Sequence, residues 1–297
     1  MKTKSIIAKS PGEKIFNVCN CIFMIIMMLV MIYPLWHVLM ASFSDPRTFS
    51  AHTGLLLRPA GFSAAAYKLM LNNPMILIGY KNTLLILAVG LALNMVVTSM
   101  AAYALSKRKP MLMKPLSILI IFTMYFSGGL IPGYLVVKDL GLFDTIWALV
   151  LPVTVSTFNL IVLRSGFESI PESLIEAAKI DGSSEMRVFL QIVLPLSKAS
   201  LAVVVLYYAV SHWNAWFNAM LFISDRELFP LQLVLREILI QNDTSSMVIG
   251  VGAGDSGFLS ETIKYAVIIV SVAPILCIYP FIQKYFAKGV MLGAVKG

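Results

Sequence analysis

The sequence predicts an all-α integral membrane protein with six transmembrane helices. Charged residues make up 13% of the 297 residues and hydrophobic residues 59%, with a mean hydropathy of +0.85. A soluble domain carries about 25% charged residues. Six apolar runs of about 19–27 residues are each long enough to cross a hydrocarbon core of about 30 Å. Because lipid offers the backbone no hydrogen-bond partners, we expect these runs to be helices.

The six runs belong to a single predicted transmembrane domain, residues 1–297. The predicted spans are 16–42, 82–105, 115–137, 145–163, 199–223 and 263–282. Between them lie a polar loop at 164–198, two long loops at 45–81 and 224–262, and a tail at 283–297. Pro132, Pro152 and Pro274 fall within or at the ends of spans, where a proline either marks a lined pathway or makes a packing kink.

The first span follows four lysines, an arrangement that a signal peptide also shows. Residues 16–43 contain no Asp, Glu, Lys or Arg. That run is longer than the apolar core of about 7–15 residues in a cleaved signal, so we expect an uncleaved first helix.

The basic residues are distributed unevenly between the two sides of the membrane. Fifteen of the 23 Lys and Arg residues fall before residue 16, in 106–114, in 164–198 and in 283–297. The segments on the opposite side, with Lys264, hold eight. The positive-inside rule therefore places both termini and the 164–198 loop in the cytoplasm. The net charge of +8 reflects membrane sidedness, so we expect no nucleic-acid partner.

Patterns that indicate enzymatic chemistry are missing from the sequence. Cys19, Cys21 and Cys277 lie in apolar runs, and residues two apart on a helix face different ways, so we expect reduced thiols and no metal site. Residues 252–257 match G-x-G-x-x-G without a preceding strand, which indicates a flexible turn. No P-loop, H-E-x-x-H or G-x-S-x-G motif occurs. We therefore predict a non-enzyme that binds no cofactor.

The segment 171–195 is polar, and its pattern predicts a helix, a sharp turn and a second helix entering the bilayer. Pro171 suits a first helical turn, and Leu174, Ala177 and Ala178 form an apolar stripe. Gly182 is placed to end this helix in a left-handed conformation. The second helix is capped by Ser183 or Ser184, and its predicted stripe consists of Met186, Phe189, Ile192 and Val193. We interpret the segment as a docking element for a partner.

The fifth span mixes aromatic and hydrogen-bonding side chains near its outer end. The candidate solute-pathway residues are Tyr208, His212, Trp213, Asn214, Trp216 and Asn218. Aromatic rings stack on sugar rings, and side-chain amides form hydrogen bonds with sugar hydroxyls, so the mixture favours a solute pathway. The alternative is a belt of aromatic residues at the membrane interface. Two further predictions concern local structure. Asn82 is a candidate N-cap of the second span, and residues 230–240 form a candidate helix on the membrane surface.

Several motifs resemble those of a known family. Glu176-Ala177-Ala178, Asp181-Gly182 and Leu194-Pro195 resemble the EAA loop of binding-protein-dependent ABC importer permeases. The tail 283–297 resembles the carbohydrate branch, of the maltose-permease G-subunit type, which Asn82-Thr83 and Trp213-Asn214 also match. Residues 126–132 resemble a subgroup associated with complex polysaccharide fragments.

The resemblance implies a type I importer fold that forms half of a two-permease channel in a bacterial plasma membrane. It implies a heterodimer with a second permease, two copies of an ABC ATPase that hold ATP and Mg, and an extracytoplasmic solute-binding protein that delivers sugar. It assigns ATPase coupling to Glu176, Ala177, Ala178, Asp181, Gly182, Phe189, Gly293, Lys296 and Gly297. In such a transporter ATP closes the ATPase, and the docked helix drives alternating access. An ion-coupled secondary transporter and an ABC permease for a non-sugar solute are the alternatives.

Overall fold

The computed structural model describes residues 10–107, 113–240 and 253–294, with side chains for 10–107, 115–240 and 259–280. Within these ranges the chain is built from fifteen α-helices, and an isolated bridge pairs Ser44 with Phe62. The helices are α1 Pro11–Ser42, α2 Pro46–Ser50, α3 Ala65–Leu71, α4 Pro74–Ser106, α5 Met113–Tyr125, α6 Leu130–Asp139, α7 Trp147–Val150, α8 Thr157–Glu168, α9 Glu172–Ile180, α10 Glu185–Val188, α11 Leu194–Leu196, α12 Lys198–Trp213, α13 Trp216–Phe222, α14 Leu231–Ile240 and α15 Ala253–Ala294. Short 3₁₀ turns at Leu151–Val153 and Arg226–Leu228 and a π-helical turn at Phe189–Val193 complete them.

Six membrane crossings are present in the described residues if each bent helix pair counts as one. The helix α1, the helix α4 and the 22-residue stretch Leu259–Pro280 of α15 are long and apolar enough to cross alone. Three further pairs are bent, by 110° between α5 and α6, by 51° between α7 and α8, and by 83° between the α10–α11 stretch and α12. The predicted all-helical membrane fold is therefore confirmed.

The run 115–137, expected to be one helix, is broken into two. The break lies at residues 126–129, where Gly129 has a φ of 91°. Only glycine adopts this conformation without strain, and it turns the chain away from the α5 axis. Pro132 lies inside α6, after the break.

Of the described residues, 10–72 and 253–270 form one compact unit, and 73–107, 113–240 and 271–294 form another. In the first unit, the end of α1 packs with the segment that follows it. Ala41, Phe49 and Leu56 are its buried cluster, with Tyr265 packed against them. The rest of α1 is largely exposed, as expected for a helix that faces lipid.

The second unit is organised around α4, which packs against α8, α12 and α14. The helix begins eight residues before the predicted span, because Asn73 caps it by accepting a hydrogen bond from the Met75 N–H at 2.9 Å. Asn82 is therefore not an N-cap, and that prediction is wrong. Its amide instead donates to the carbonyl oxygens of Glu227 at 2.7 Å and Phe229 at 3.1 Å.

The predicted helix at 230–240 is present as α14, but it is packed into the protein. Leu231, Val234, Leu235 and Ile238 on α14 are buried. The Leu231 N–H donates to the Thr83 hydroxyl at 2.8 Å. Asn82 and Thr83 of α4 thus fasten the start of the 224–262 loop, and α14 does not lie free on a membrane surface.

Candidate functional site

The helix α9 ends as its sequence predicts, at Gly182. This glycine has a φ of 79°. The Ser183 N–H donates to the Ala178 carbonyl at 2.9 Å, and the Gly182 N–H donates to the Lys179 carbonyl at 3.0 Å. These two bonds form a Schellman motif, which satisfies carbonyls that the helix end leaves free. Ser184 then caps α10, its hydroxyl accepting from the Arg187 N–H at 3.4 Å.

Two apolar faces exist on α9, and the predicted stripe is divided between them. Ile175 and Ala178 pack against the buried cluster of the second unit. Leu174 and Ile180 are exposed, at 46% and 86%. Ala177 is also exposed, so two of the three residues of the predicted apolar stripe, Leu174 and Ala177, face outward. One face of α9 anchors the helix and the other is open to a partner.

Glu185 ties the elbow between α9 and α10 to the end of α4. Its carboxylate lies 2.6 Å from the Lys107 ammonium and 2.8 Å from that of Lys179. The Tyr103 hydroxyl donates to the same carboxylate at 2.8 Å. Each pair is partly exposed and individually weak, but three partners on two elements fix one geometry. Sequence reasoning missed Glu185 because its α4 partners lie about eighty residues away in the chain.

Phe189 is buried at the point where α10 continues into the π-helical turn. Its ring lies 5.0 Å from that of Tyr103 and 6.5 Å from that of Phe167, measured between centroids. Val188 and Val193 are buried with it, Ile192 is partly buried, and Met186 is 52% exposed. The predicted stripe is therefore wrong at Met186. The π turn inserts an extra residue per turn and shifts the buried face.

A cleft of about 580 Å³ lies between α9 and the ends of α4 and α8. Glu176 and Lys179 of α9 line it, together with Lys107 directly after α4 and Glu168 of α8. Glu176 is exposed at its edge.

Tyr208 and His212, two of the predicted pathway residues, are buried and bonded to other protein groups. The His212 Nε2 lies 2.7 Å from the Asn94 side-chain oxygen, and the Asn94 amide donates to the carbonyls of Val153 and Thr154 at 2.8 Å each. The Tyr208 hydroxyl accepts from the Ser156 N–H at 2.9 Å and lies 2.7 Å from the Thr98 hydroxyl. Asn94, which His212 holds, and Tyr208 thus satisfy backbone groups of Val153, Thr154 and Ser156, where α7 and α8 are bent.

Trp213 and Trp216 differ in exposure. The Trp213 indole is buried and donates to the Ser271 carbonyl at 3.2 Å. Trp216 is 37% exposed, and the Arg236 guanidinium carbon lies 4.8 Å from its ring centroid. The cation covers one face of the ring.

Asn214 and Asn218 line a second, smaller cleft of about 140 Å³. Ser211 and Phe217 contribute to it as well. The Asn214 side-chain amide donates to the Val210 carbonyl oxygen at 2.9 Å. The Asn214 side-chain oxygen takes no part in that bond. Of the six predicted residues, three line this cleft, namely His212, Asn214 and Asn218, beside the Phe217 ring.

The predicted tail residues fall largely outside the structural description. Gly293 lies within α15, whose side chains are not described there, and Lys296 and Gly297 lie beyond the described residues. Among the described residues, no three His, Cys, Asp or Glu side chains are grouped closely enough to hold a metal ion.

Comparison with known proteins shows similarity over nearly the whole chain. Residues 12–292 match the family model of the binding-protein-dependent transport system inner membrane component. The chain is 42% identical over 290 residues to the polygalacturonan/rhamnogalacturonan transport system permease protein YtcP of Bacillus subtilis, covering 96% of this chain and 99% of that protein. It is also 42% identical over 288 residues to Protein LplC of Bacillus subtilis, covering 97% of each.

A solved structure shares the fold. It is the crystal structure of a bacterial ABC transporter involved in the import of the acidic polysaccharide alginate. The TM-score is 0.85 at 30% sequence identity, and the match covers 94% of this chain and 99% of the other. The arrangement of helices around α4 is therefore that of an ABC importer's membrane subunit.

Proposed function

Because this chain belongs to the family of binding-protein-dependent transport system inner membrane components, we propose that it is the permease subunit of an ABC importer for sugars or oligosaccharides. The similarity to importer permeases over at least 94% of the chain supports this. The protein crosses the plasma membrane of a bacterium several times. A separate ATPase subunit hydrolyses ATP, and this chain converts that event into movement of the pathway.

The single observation that carries the coupling role is the construction of α9. Its inner face is anchored by Ile175 and Ala178, and Glu185 fixes its elbow to α4, while Leu174 and Ile180 remain exposed. A force applied to the exposed face is transmitted to α4 through a short, well-bonded elbow rather than absorbed by a loop. Glu176, Ala177, Asp181 and Gly182 then contact or shape the ATPase-binding surface, and Phe189 carries the motion into the bundle.

The assembly that fits this role has one further permease, forming a heterodimer, and two ATPase copies that hold ATP and Mg. The excess of basic residues in the 164–198 loop and the tail supports cytoplasmic termini. Gly293, Lys296 and Gly297 of the tail reach the ATPases in this arrangement. A solute-binding protein docks on the opposite side.

The coupling role predicts that a charge on the exposed face of α9 prevents ATPase binding. Ile180→Asp and Glu176→Lys should each abolish co-purification of the ATPase with this chain, while the amount of chain in the membrane stays unchanged. Leu140→Asp is the matched control, because Leu140 is also exposed, at 66%, but lies at the end of α6 on the predicted opposite side. Normal ATPase recovery with Ile180→Asp and Glu176→Lys would contradict the role.

A finer proposal concerns the charge of the solute. Two of the proteins named above are described as taking part in the transport of polygalacturonan/rhamnogalacturonan and of alginate, and polygalacturonan and alginate carry carboxylates. Arg236 lies over the ring of Trp216, which is 37% exposed, and the buried Nε of Arg236 has no hydrogen-bond partner among the described residues. A cation on an aromatic surface suits a uronate, whose ring stacks and whose carboxylate pairs with arginine. The side-chain amides of Asn214 and Asn218, in the adjoining segment, form hydrogen bonds with the hydroxyl groups of the sugar.

The test of the solute's charge compares the uptake of an acidic oligosaccharide with that of a neutral one. Arg236→Gln should weaken the uptake of oligogalacturonate about tenfold or more and change the uptake of neutral oligosaccharides little, given about 1.5–3 kcal/mol for a charged hydrogen bond. Arg226→Gln is the control, because Arg226 forms an exposed pair with Glu237 at 2.7 Å. Equal loss for both solutes, or no loss for either, would overturn the assignment.

A further inference from the structure

The segment after α1 doubles back along that helix. Two side chains from the last third of α1, Tyr33 and Trp36, hold it there. The Leu56 N–H donates to the Tyr33 hydroxyl at 3.2 Å, and the Trp36 indole N–H donates to the Leu57 carbonyl at 3.0 Å. Leu56 is buried against Ala41 and Phe49. The loop at 54–58 is therefore fixed beside residues 33–36 rather than beyond the helix end at Ser42.

This position matches one boundary of a hydrocarbon core that begins at Ile15, and it lies within the longer predicted span 16–42. Lys14 is the last charged residue before the apolar run, and the next is Asp45. At 1.5 Å per residue, a core of about 30 Å takes about 20 residues. Counted from Ile15, it ends near Pro34, within one turn of both Tyr33 and Trp36. Tyrosine and tryptophan are the residues that favour this boundary.

The outward side of the loop is apolar. Leu55 is 71% exposed and Leu57 is 66% exposed, on either side of the buried Leu56. Phe62 is 78% exposed and stacks on Phe43, with ring centroids 5.8 Å apart. Exposed leucines on both sides of an anchored residue form a surface that water does not favour. Two backbone groups of the loop are already bonded to α1, which lowers the cost of leaving water.

The charges of the segment also suit a lipid surface. Residues 46–81 contain Arg47, Arg58, Lys68 and Lys81 and no acidic residue. Arg58 follows Leu57 directly and is exposed. An arginine at this level extends its guanidinium to phosphate while its methylenes stay in the apolar layer. The alternative is that the loop docks a solute-binding protein. Such a docking surface lies in water and does not require leucines at the depth of the hydrocarbon core.

We propose that the loop at 54–58 is a membrane-interface anchor, in which Leu55 and Leu57 insert into the leaflet opposite Lys14 and Arg58 binds anionic lipid headgroups. The anchor fixes the height and rotation of the end of α1. It holds the segment 45–62 against the bilayer, whatever solute the transporter carries.

The test places a nitroxide label on the loop in the assembled transporter. In a chain with Cys19, Cys21 and Cys277 replaced by alanine, Leu55→Cys and Leu57→Cys are labelled separately and reconstituted with the partner subunits. The vesicles contain phosphatidylethanolamine and phosphatidylglycerol. Power saturation compares collisions with oxygen, which concentrates in lipid, and with a water-soluble nickel chelate. The matched control is His52→Cys, an exposed position in the same segment.

The expected result is an oxygen-to-nickel collision ratio several-fold higher at residues 55 and 57 than at residue 52. A ratio equal to that of the control would place the loop in water and overturn the proposal. Labels shielded from both reagents would show that protein covers the loop, which overturns it as well. The two sites are independent, so a variant that fails to assemble leaves the other to decide.

Phosphatidylglycerol supplies the headgroup test. Arg58→Gln should lower the oxygen-to-nickel ratio at residue 57 in vesicles with phosphatidylglycerol and leave it unchanged in vesicles of phosphatidylcholine alone. Lys68→Gln serves as the charge control, because Lys68 lies in α3, beyond the loop. An equal effect of both variants would contradict a specific role for Arg58.

Discussion

Single residues at close contacts affect the stability of the second unit. Gly90 of α4 faces the ring of His212, and a Cβ at that glycine would lie 2.5 Å from the His212 Nε2. His212 is held there by Asn94, which also bonds the carbonyls of Val153 and Thr154. The size of one residue therefore controls a chain of contacts that ends at the bend between α7 and α8.

Gly90→Ala should destabilise the protein, because the added methyl displaces His212 and strains its bond to Asn94. Overpacking of this kind costs about 1–3 kcal/mol. The measurement is the thermal unfolding midpoint of the detergent-solubilised protein, which should fall by several degrees. Gly133→Ala is the control, since among the described residues no atom outside the local backbone of α6 lies within 4 Å of a Cβ placed there. Equal midpoints for the two variants would show that His212 can move without cost.

At the scale of secondary-structure elements, α9 and its elbow to α10 carry the coupling. The sequence predicts some of their features and not others. Local signals identify α9, its glycine stop at Gly182 and the cap at Ser184, because each depends on residues within one or two turns. The Glu185 pairing and the π turn at Phe189 depend on distant partners and were not predictable. The break at Gly129 was also missed, since hydropathy alone does not distinguish a bent pair from one span.

Glu185→Gln should weaken coupling more than it weakens folding. The pairs with Lys107 and Lys179 are partly exposed, so their loss costs at most about 1 kcal/mol of stability each. The elbow loses its fixed geometry, and binding-protein stimulation of ATP hydrolysis should fall several-fold with an almost unchanged unfolding midpoint. Glu172→Gln removes the same charge from the first turn of α9 and should leave stimulation intact. If both variants behave alike, the Glu185 bonds do not transmit motion.

At the scale of the whole molecule, the fold class and the family motifs were predictable from the sequence, and the assignment of pathway residues was less so. The sequence pattern of the aromatic and polar cluster at 207–218 is the same whether its side chains face a solute pathway or pack against other protein groups. The structure separates them: Tyr208 and Trp213 bond protein groups, Asn214 and Asn218 line an open cleft, and His212 does both. Burial depends on neighbouring helices, which no local pattern encodes.

The most direct measurement is solute uptake by the purified transporter in sealed proteoliposomes, with the binding protein and an oligogalacturonate outside and ATP inside. We predict uptake that requires ATP and the binding protein and that is unaffected by dissipating proton and sodium gradients. Gly182→Val, which strains a φ of 79°, should reduce uptake while the chain still inserts. Uptake by this chain alone, driven by an ion gradient without ATP, would contradict its assignment as an ABC importer permease.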